Sequence, residues 1–145
     1  MKQCFDWETN TLDIETAAGI KFDLKLKGNK TIICGDSATG KTLLCSVIKS
    51  YQDSFNDPVL SKYDMSNIIL ITKQNKHELQ SYKSKLMIID RADLLLNDAD
   101  VETINNDTDV NKYIIFSRKP LGIYLSPNYY GELITKGDTI GLEYI

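Results

Sequence analysis

The sequence predicts one α/β domain over residues 1–145, built on a mostly parallel central sheet with flanking helices and antiparallel strands at both chain ends. The main observation is a series of continuous apolar runs, each of strand length, at 31–34, 67–72, 85–90 and 112–117. Such runs are typical of strands that are buried on both faces of a parallel sheet. Helical or polar, turn-forming segments separate the runs, so strands and helices alternate along the chain.

The two ends of the chain predict antiparallel strands. Residues 20–26 alternate between apolar and charged side chains, which predicts a strand with one face in the core and one face in water. Residues 3–28 are therefore interpreted as antiparallel β-structure. Near the carboxyl end, residues 133–135 and 139–142 flank a short glycine-containing turn, a pattern that predicts a closing hairpin.

Helices are predicted after the first buried strand and on either side of the third. In residues 43–51 the apolar positions recur at helical spacing. Residues 75–84 predict a short surface helix, and residues 92–97 and 100–106 could form two more short helices. Residues 53–66 carry no clear period and are interpreted as a loop.

Composition bounds the class of protein. The chain has 145 residues, of which 42% are apolar and 26% are charged, as in ordinary soluble globular proteins. Its net charge of −3 does not indicate nucleic-acid binding. No apolar run approaches the length of a membrane span and no apolar signal segment opens the chain, so the sequence predicts a cytoplasmic protein.

Residues 35–42, Gly-Asp-Ser-Ala-Thr-Gly-Lys-Thr, fit the phosphate-binding pattern G-x-x-x-x-G-K-[ST] between a strand and a helix. Gly35 and Gly40 allow the backbone to approach a phosphate closely, and the amides of the loop and of the helix start attract anions. Lys41 would reach the β- and γ-phosphates, and the Thr42 hydroxyl would bind Mg²⁺. The predicted nucleotide-binding residues are Gly35, Asp36, Ser37, Ala38, Thr39, Gly40, Lys41, Thr42 and Leu43.

A second part of the predicted site is Asp90, which directly follows the apolar residues 86–89. Because parallel strands end at the same edge of a sheet, Asp90 would lie beside the loop and hold Mg²⁺ through water. Thr42 and Asp90 are therefore the predicted metal residues, and ATP and Mg²⁺ are the predicted cofactors.

Together, residues 35–42 and 86–90 resemble the Walker A and Walker B motifs of the P-loop NTPase superfamily. Within it, the chain resembles a minimal ABC-like or AAA-like ATPase core. The resemblance implies a P-loop NTPase-like fold, with residues 67–72 supplying the strand that this branch inserts between its two motif strands. ABC-type domains also begin with antiparallel strands and finish with a strand pair. The sequence lacks the helical subdomain and the Gly-rich signature with which ABC dimers close over ATP.

The sequence departs from that resemblance after Asp90. Those families place there a glutamate that polarises the attacking water, whereas this chain has Arg91, which cannot accept a proton. The catalytic candidates are Asp93, the nearest other carboxylate, and Ser117 and Arg118, which follow the last buried strand. The resemblance assigns Ser117 to a polar sensor, and Arg118 could neutralise phosphate charge in this chain or in a partner. Asp93 as a helix cap and Arg118 as a surface side chain stay open as alternatives.

Three further features either favour a structural interpretation or leave a structural and a functional interpretation open. Trp7 could stack on adenine, but core packing is favoured for it. Gln74 follows a strand and is favoured as a solvated loop residue. Tyr124, Tyr129 and Tyr130 form either a surface for a partner or part of the packing.

The sequence thus predicts a Mg·ATP-binding protein with weak or partner-dependent ATPase activity, in which a second copy or a protein partner supplies the missing catalytic group. The alternative is a nonenzymatic module whose partner surface responds to nucleotide. A small-molecule kinase fits less well because Arg91 and Arg118 are the only arginines, and a GTPase fits less well still.

Overall fold

A computed structural model describes residues 2–16, 18–33, 40–53, 63–107, 110–119, 121–123 and 130–144. Its strands are β1 (Lys2–Gln3), β2 (Phe5–Asp6), β3 (Thr11–Glu15), β4 (Lys21–Lys25), β5 (Lys30–Ile33), β6 (Tyr63–Asp64), β7 (Ile68–Ile71), β8 (Leu86–Ile89), β9 (Lys112–Phe116), β10 (Tyr130–Lys136) and β11 (Thr139–Tyr144). Its helices are α1 (Lys41–Asp53), α2 (Ala92–Leu95), α3 (Asp98–Asn106) and a 3-10 helix at Lys76–Ser81.

Nine of these strands form one mixed sheet in the order β2-β3-β4-β11-β10-β5-β9-β8-β7. From β10 to β7 the neighbouring strands are parallel. On the other side, β2, β3 and β4 form an antiparallel meander, and β10 and β11 form an antiparallel hairpin. The parallel pairing of β4 with β11, which sets Lys21 opposite Thr139, joins the two parts into a single sheet.

The two edges of this sheet approach each other, so the sheet is barrel-like and nearly closed. β1, which precedes the edge strand β2, pairs in parallel with β6, which precedes the opposite edge strand β7. Beside this pair, the Cys4 amide donates to the Asp64 carbonyl at 3.3 Å. The Asn67 side-chain amide donates to the Phe5 carbonyl at 3.0 Å. These bonds use backbone groups that an open sheet edge would leave unpaired.

The hydrophobic core lies on both faces of the sheet. An inner cluster joins residues from distant strands, such as Leu12 and Ile114, with Leu44 and Ile48 of α1. These two α1 residues are four positions apart, so one face of the helix enters the core. An outer cluster joins the other face of the parallel strands to the remaining helices through Leu79, Ala92 and Ile104.

The fold class predicted from the sequence is wrong. The expectation was a P-loop NTPase-like α/β fold with a mostly parallel central sheet between helices. The described chain is instead mostly β, with eleven strands and four short helices, and its main feature is the barrel-like mixed sheet. The physical cause is that local periodicity predicts a buried strand but not its partner, and β4 pairs with β11 across most of the sequence.

Many individual elements nevertheless match their predictions. The apolar runs at 67–72, 85–90 and 112–117 contain β7, β8 and β9. The predicted closing hairpin is formed by β10 and β11, which are antiparallel over six residue pairs. Most of the predicted loop at 53–66 lies outside the described residues, as do Tyr124 and Tyr129. In the described part of the chain, no helix combines the length and apolar character that crossing a bilayer requires.

Candidate functional site

The candidate site lies at the edge of the sheet where three parallel neighbours, β5, β9 and β8, end. Ile33, Phe116 and Ile89 are their last residues. The Ser117 amide donates to the Ile33 carbonyl at 3.2 Å, so the end of β9 adjoins the start of the glycine-rich loop. Asp90 follows β8 at the same edge, because parallel strands in register end together.

The helix α1 begins on the far side of the glycine-rich loop. Gly40 has a φ of +95°, a conformation that side chains rarely tolerate, and its carbonyl accepts the first helical hydrogen bond from the Leu44 amide at 2.9 Å. Lys41 is buried, with 6% of its surface exposed, whereas Thr42 faces solvent. The predicted phosphate-binding residues from Gly35 to Thr39 lie outside the described residues.

The electrostatic surroundings of Cys45, in the second turn of α1, indicate that Asp90 lies near this helix. Burial, and to a lesser extent the negative charge of Asp90, raise the pKa of the Cys45 thiol to about 12. Asp90 is therefore close enough to act electrostatically on α1. Thr42 is three residues before Cys45 and so lies on the same side of the helix.

The predicted metal residues fit one mode of Mg²⁺ binding. Among the described residues, no group of three or more His, Cys, Asp and Glu side chains could hold a metal ion. Mg²⁺ commonly uses only one or two carboxylates and takes its other ligands from phosphate and water. Asp90 and the Thr42 hydroxyl would suit an ion that arrives with a nucleotide, rather than an ion held by protein alone.

Asp93 and Arg118, which the sequence assigned to catalysis, contact each other. The Arg118 amide donates to Asp93 Oδ1 at 3.5 Å, and Arg118 Nε lies 3.9 Å from Oδ2. The Asp93 side chain is buried, and its Oδ2 accepts no hydrogen bond from a described residue. The structure thus brings these two candidates together, and it surrounds Asp93 with protein rather than with the water a general base would meet.

The Ser117 hydroxyl forms its hydrogen bonds within a local turn. It donates to the Lys119 carbonyl at 2.6 Å and accepts from the Lys119 amide at 3.3 Å. The residue as a whole is 2% exposed. A sensor role for Ser117 would require the hydroxyl to exchange its bond to the carbonyl for one to a ligand.

Arg91 and Gln74 present their side chains to solvent. The backbone of Arg91 starts α2, because its carbonyl accepts from the Leu94 and Leu95 amides at 2.9 and 3.0 Å.

Trp7 lies away from the candidate site. Its carbonyl accepts from Lys112 Nζ at 2.6 Å, and that ammonium lies 4.2 Å from the centroid of the indole ring. Lys112 begins β9, whereas Ser117 follows its end, and a strand of that length spans about 16 Å. Trp7 is partly buried and packs against the inner cluster, which favours a packing role over base stacking.

The sequence did not indicate a polar network at the opposite edge of the sheet. Tyr113 donates to Asp107 Oδ2 at 2.6 Å, and Asn111 Nδ2 donates to the same oxygen at 3.0 Å. Burial and this hydrogen bond raise the pKa of Tyr113 well above its ordinary value. The network lines a cleft of about 530 Å³ between the 3-10 helix and α3. No motif marks these residues, and their polar groups satisfy one another.

No protein-family model, curated protein or solved structure matches this chain. The predicted membership of the P-loop NTPase superfamily, with its ABC-like and AAA-like branch, is corrected on two grounds. The sheet is mixed and barrel-like, and no family model supports the assignment. The patterns at 35–42 and 86–90 remain as local sequence features, whose chemistry must be argued from this chain alone.

Proposed function

We propose that this chain binds a nucleoside triphosphate, with ATP and Mg²⁺ as the best candidates, at the edge where β5, β9 and β8 end. The observation that carries the proposal is the convergence at that edge. The start of α1 with Lys41 and Thr42, the carboxylate Asp90 and the turn at Ser117 all follow the ends of adjacent strands. Amides at a helix start, a lysine, a hydroxyl and one carboxylate are the groups that a Mg·triphosphate needs.

Hydrolysis is proposed to be weak or to depend on a partner. Arg91 is a cation, Asp93 is buried against Arg118, and the Ser117 hydroxyl is bonded within its own turn. None of these groups is poised to accept a proton from water. A second copy of the chain or a protein partner would then supply the base.

The second candidate function is a nonenzymatic module that responds to nucleotide. The same lack of a poised base favours it, together with two exposed leucines beside the site, Leu43 and Leu94, which are 37% and 65% exposed. Such side chains could report the state of the site to a partner. Turnover separates the two functions, because only the first releases phosphate.

The test is equilibrium binding of a fluorescent ATP analogue with Mg²⁺, followed by phosphate release from ATP on the same samples. Lys41→Ala is expected to weaken binding at least about tenfold, because it removes a charge-assisted contact. Lys49→Ala is the matched control, since Lys49 is an exposed lysine on the same helix. It should bind as the unmodified chain does.

Because Lys41 is buried, its replacement could also disturb folding. Thr42→Ala is therefore measured as well, since Thr42 is exposed and its loss should reduce the dependence of binding on Mg²⁺ with little effect on stability. If the unmodified chain binds no triphosphate, or if both variants bind as it does, the proposal is wrong.

A further inference from the structure

The backbone of Glu15, the last residue of β3, is hydrogen-bonded by two tyrosine side chains. The Glu15 amide donates to the Tyr63 hydroxyl at 2.8 Å, and the Tyr51 hydroxyl donates to the Glu15 carbonyl at 2.6 Å. The two rings meet edge to face, with 5.1 Å between their centroids. Tyr51 belongs to α1 and Tyr63 to β6, so a helix and a strand of the barrel closure both hold the end of β3.

The register of β2 and β3 identifies the strand that those hydroxyls replace. β2 is antiparallel to β3, with Phe5 opposite Leu12. The same register, continued toward the amino terminus, places Lys2 opposite Glu15. β1, which contains Lys2, instead leaves β3 and pairs with β6, where Lys2 lies opposite Tyr63. The two residues of β1 therefore have two partner strands available to them.

Cys4 is the point at which the chain divides between those two partners. Its carbonyl accepts from the Asp13 amide at 2.9 Å, as the β3 register requires, whereas its amide donates to the Asp64 carbonyl at 3.3 Å, on the β6 side. Because hydrogen-bonded pairs alternate along an antiparallel ladder, the pair two residues further on, Lys2 with Glu15, would be hydrogen-bonded as well. Its two bonds would use the Glu15 amide and carbonyl that the tyrosines now occupy, so the two arrangements exclude each other.

We propose that β1 is a strap with two alternative positions. Paired with β6 it closes the barrel, and paired with β3 it leaves the barrel open. Tyr51 and Tyr63 hold the closed position, because they satisfy the backbone of Glu15 while β1 is away from it. The exchange uses residues of the barrel closure alone and does not require a nucleotide.

The exchange breaks few contacts. β1 and β6 pair over two residues each, and both residues of β1 are exposed, so their release uncovers little apolar surface. The Lys2 ammonium also has a carboxylate in each position. It lies 3.1 Å from Asp13 in the closed position and would lie opposite Glu15 in the open one. The main cost of opening is therefore the exposure of Cys4.

The Cys4 thiol reports which position β1 occupies. In the closed barrel Cys4 is 1% exposed and belongs to the inner cluster, and burial raises the pKa of its thiol to about 12. In the open position Cys4 would lie beside Asp13 on the outer face of β3, since residues paired across a ladder share a face. The Asp13 side chain is 30% exposed. Opening is therefore expected to make the thiol available to a reagent in solution.

The experiment measures the rate at which N-ethylmaleimide modifies Cys4 in the folded chain, read by peptide mass spectrometry at increasing urea concentrations. Labelling through the strap should change little with urea, whereas labelling through global unfolding should rise steeply. Tyr51→Phe and Tyr63→Phe each keep the ring and remove one hydrogen bond, so each should speed labelling by about 3- to 10-fold. Tyr82→Phe is the matched control, because it also removes one hydroxyl bond, to Glu78 Oε2 at 3.0 Å, after the 3-10 helix. It should label at the unmodified rate.

Glu15→Lys distinguishes strand exchange from simple detachment of β1. It places like charges opposite each other in the open position, so it should slow Cys4 labelling by about two- to fivefold. Glu132→Lys makes the same change of charge at an exposed position of β10 and should leave the rate unaltered.

Three results would overturn the proposal. Labelling of Cys4 with the urea dependence of global unfolding would mean that the strap does not open by itself. Unchanged rates in Tyr51→Phe and Tyr63→Phe would mean that the tyrosines do not hold the closed position. An unchanged rate in Glu15→Lys would mean that β1 detaches without pairing with β3.

Discussion

Arg91 adopts a left-handed backbone conformation at the junction between Asp90 and helix α2. Its φ is 49°, and its carbonyl accepts the first two hydrogen bonds of the short helix. A residue with a Cβ is strained in this region, by roughly 1–2 kcal/mol. The strained residue, Arg91, directly follows the candidate metal residue Asp90. Backbone strain of this kind is most common at functional sites.

Arg91→Gly should raise the free energy of unfolding by about 0.5–1 kcal/mol, because glycine relieves the strain and the gain exceeds its added unfolded-state entropy. Arg91→Ala is the matched control, since it removes the same charged side chain but keeps the Cβ. Urea unfolding of both variants checks this. Equal stability of the two would mean that the backbone at this position is unstrained.

The candidate residues differ in how well the sequence predicts their surroundings. The glycine-rich pattern locates Gly40 and Lys41 at the start of a helix, because backbone demands at that point restrict the residue types. The pattern carries no information about Asp93 and Arg118, whose contact joins helix α2 to the turn after β9. Contacts of this kind depend on tertiary structure and have no local signal.

At the scale of elements, helix α3 is fixed by a reciprocal cap. Asn97 Oδ1 accepts from the Asp100 amide at 2.9 Å, and Asp100 Oδ2 accepts from the Asn97 amide at 3.0 Å. The same carboxylate oxygen accepts from Lys76 Nζ at 3.1 Å, which connects α3 to the 3-10 helix. One short motif therefore stabilises both the start of a helix and its packing.

Asn97→Ala should lower the free energy of unfolding by about 1 kcal/mol, because the Asp100 amide loses its acceptor. Asn97→Ser retains a capping oxygen and should lose little. Denaturant unfolding of the two variants measures the difference. A loss as large in the serine variant as in the alanine variant would show that the cap contributes nothing and that another contact of Asn97 is responsible.

The sequence predicts elements well where one local pattern determines them. β7, β8 and β9 follow from continuous apolar runs, and α1 follows from helical spacing after the glycine-rich segment. The two-residue strands β1 and β6 have no such pattern, and they exist because they pair with each other. Their sequences could equally form a loop.

At the scale of the whole molecule, the fold depends on two pairings that local sequence does not determine. β4 pairs with β11, and β1 pairs with β6, and together they curve nine strands into a nearly closed sheet. The sequence correctly separates the buried strands from the half-exposed ones, but that separation suits either an open parallel sheet or a curved mixed one. The resemblance of residues 35–42 and 86–90 to two known motifs favoured the open parallel sheet, which is the wrong alternative.

The junction between the hairpin and the parallel strands supplies the last prediction. Gly131 lies opposite Ile33 on one side and Tyr144 on the other. A Cβ at this position would lie 2.9 Å from Leu142 Cδ1 and 3.0 Å from the Glu143 carbonyl oxygen. Gly131→Ala should therefore lower the free energy of unfolding by about 1–3 kcal/mol, since the backbone must shift to admit the methyl group.

Gly141→Ala is the control in the same hairpin, because its Cβ would meet only the Asp23 carbonyl oxygen at 3.7 Å, an ordinary contact. Thermal and urea unfolding of both variants measure the effect, and equal stability would mean that β10 does not pack against β11 and β5 in this register.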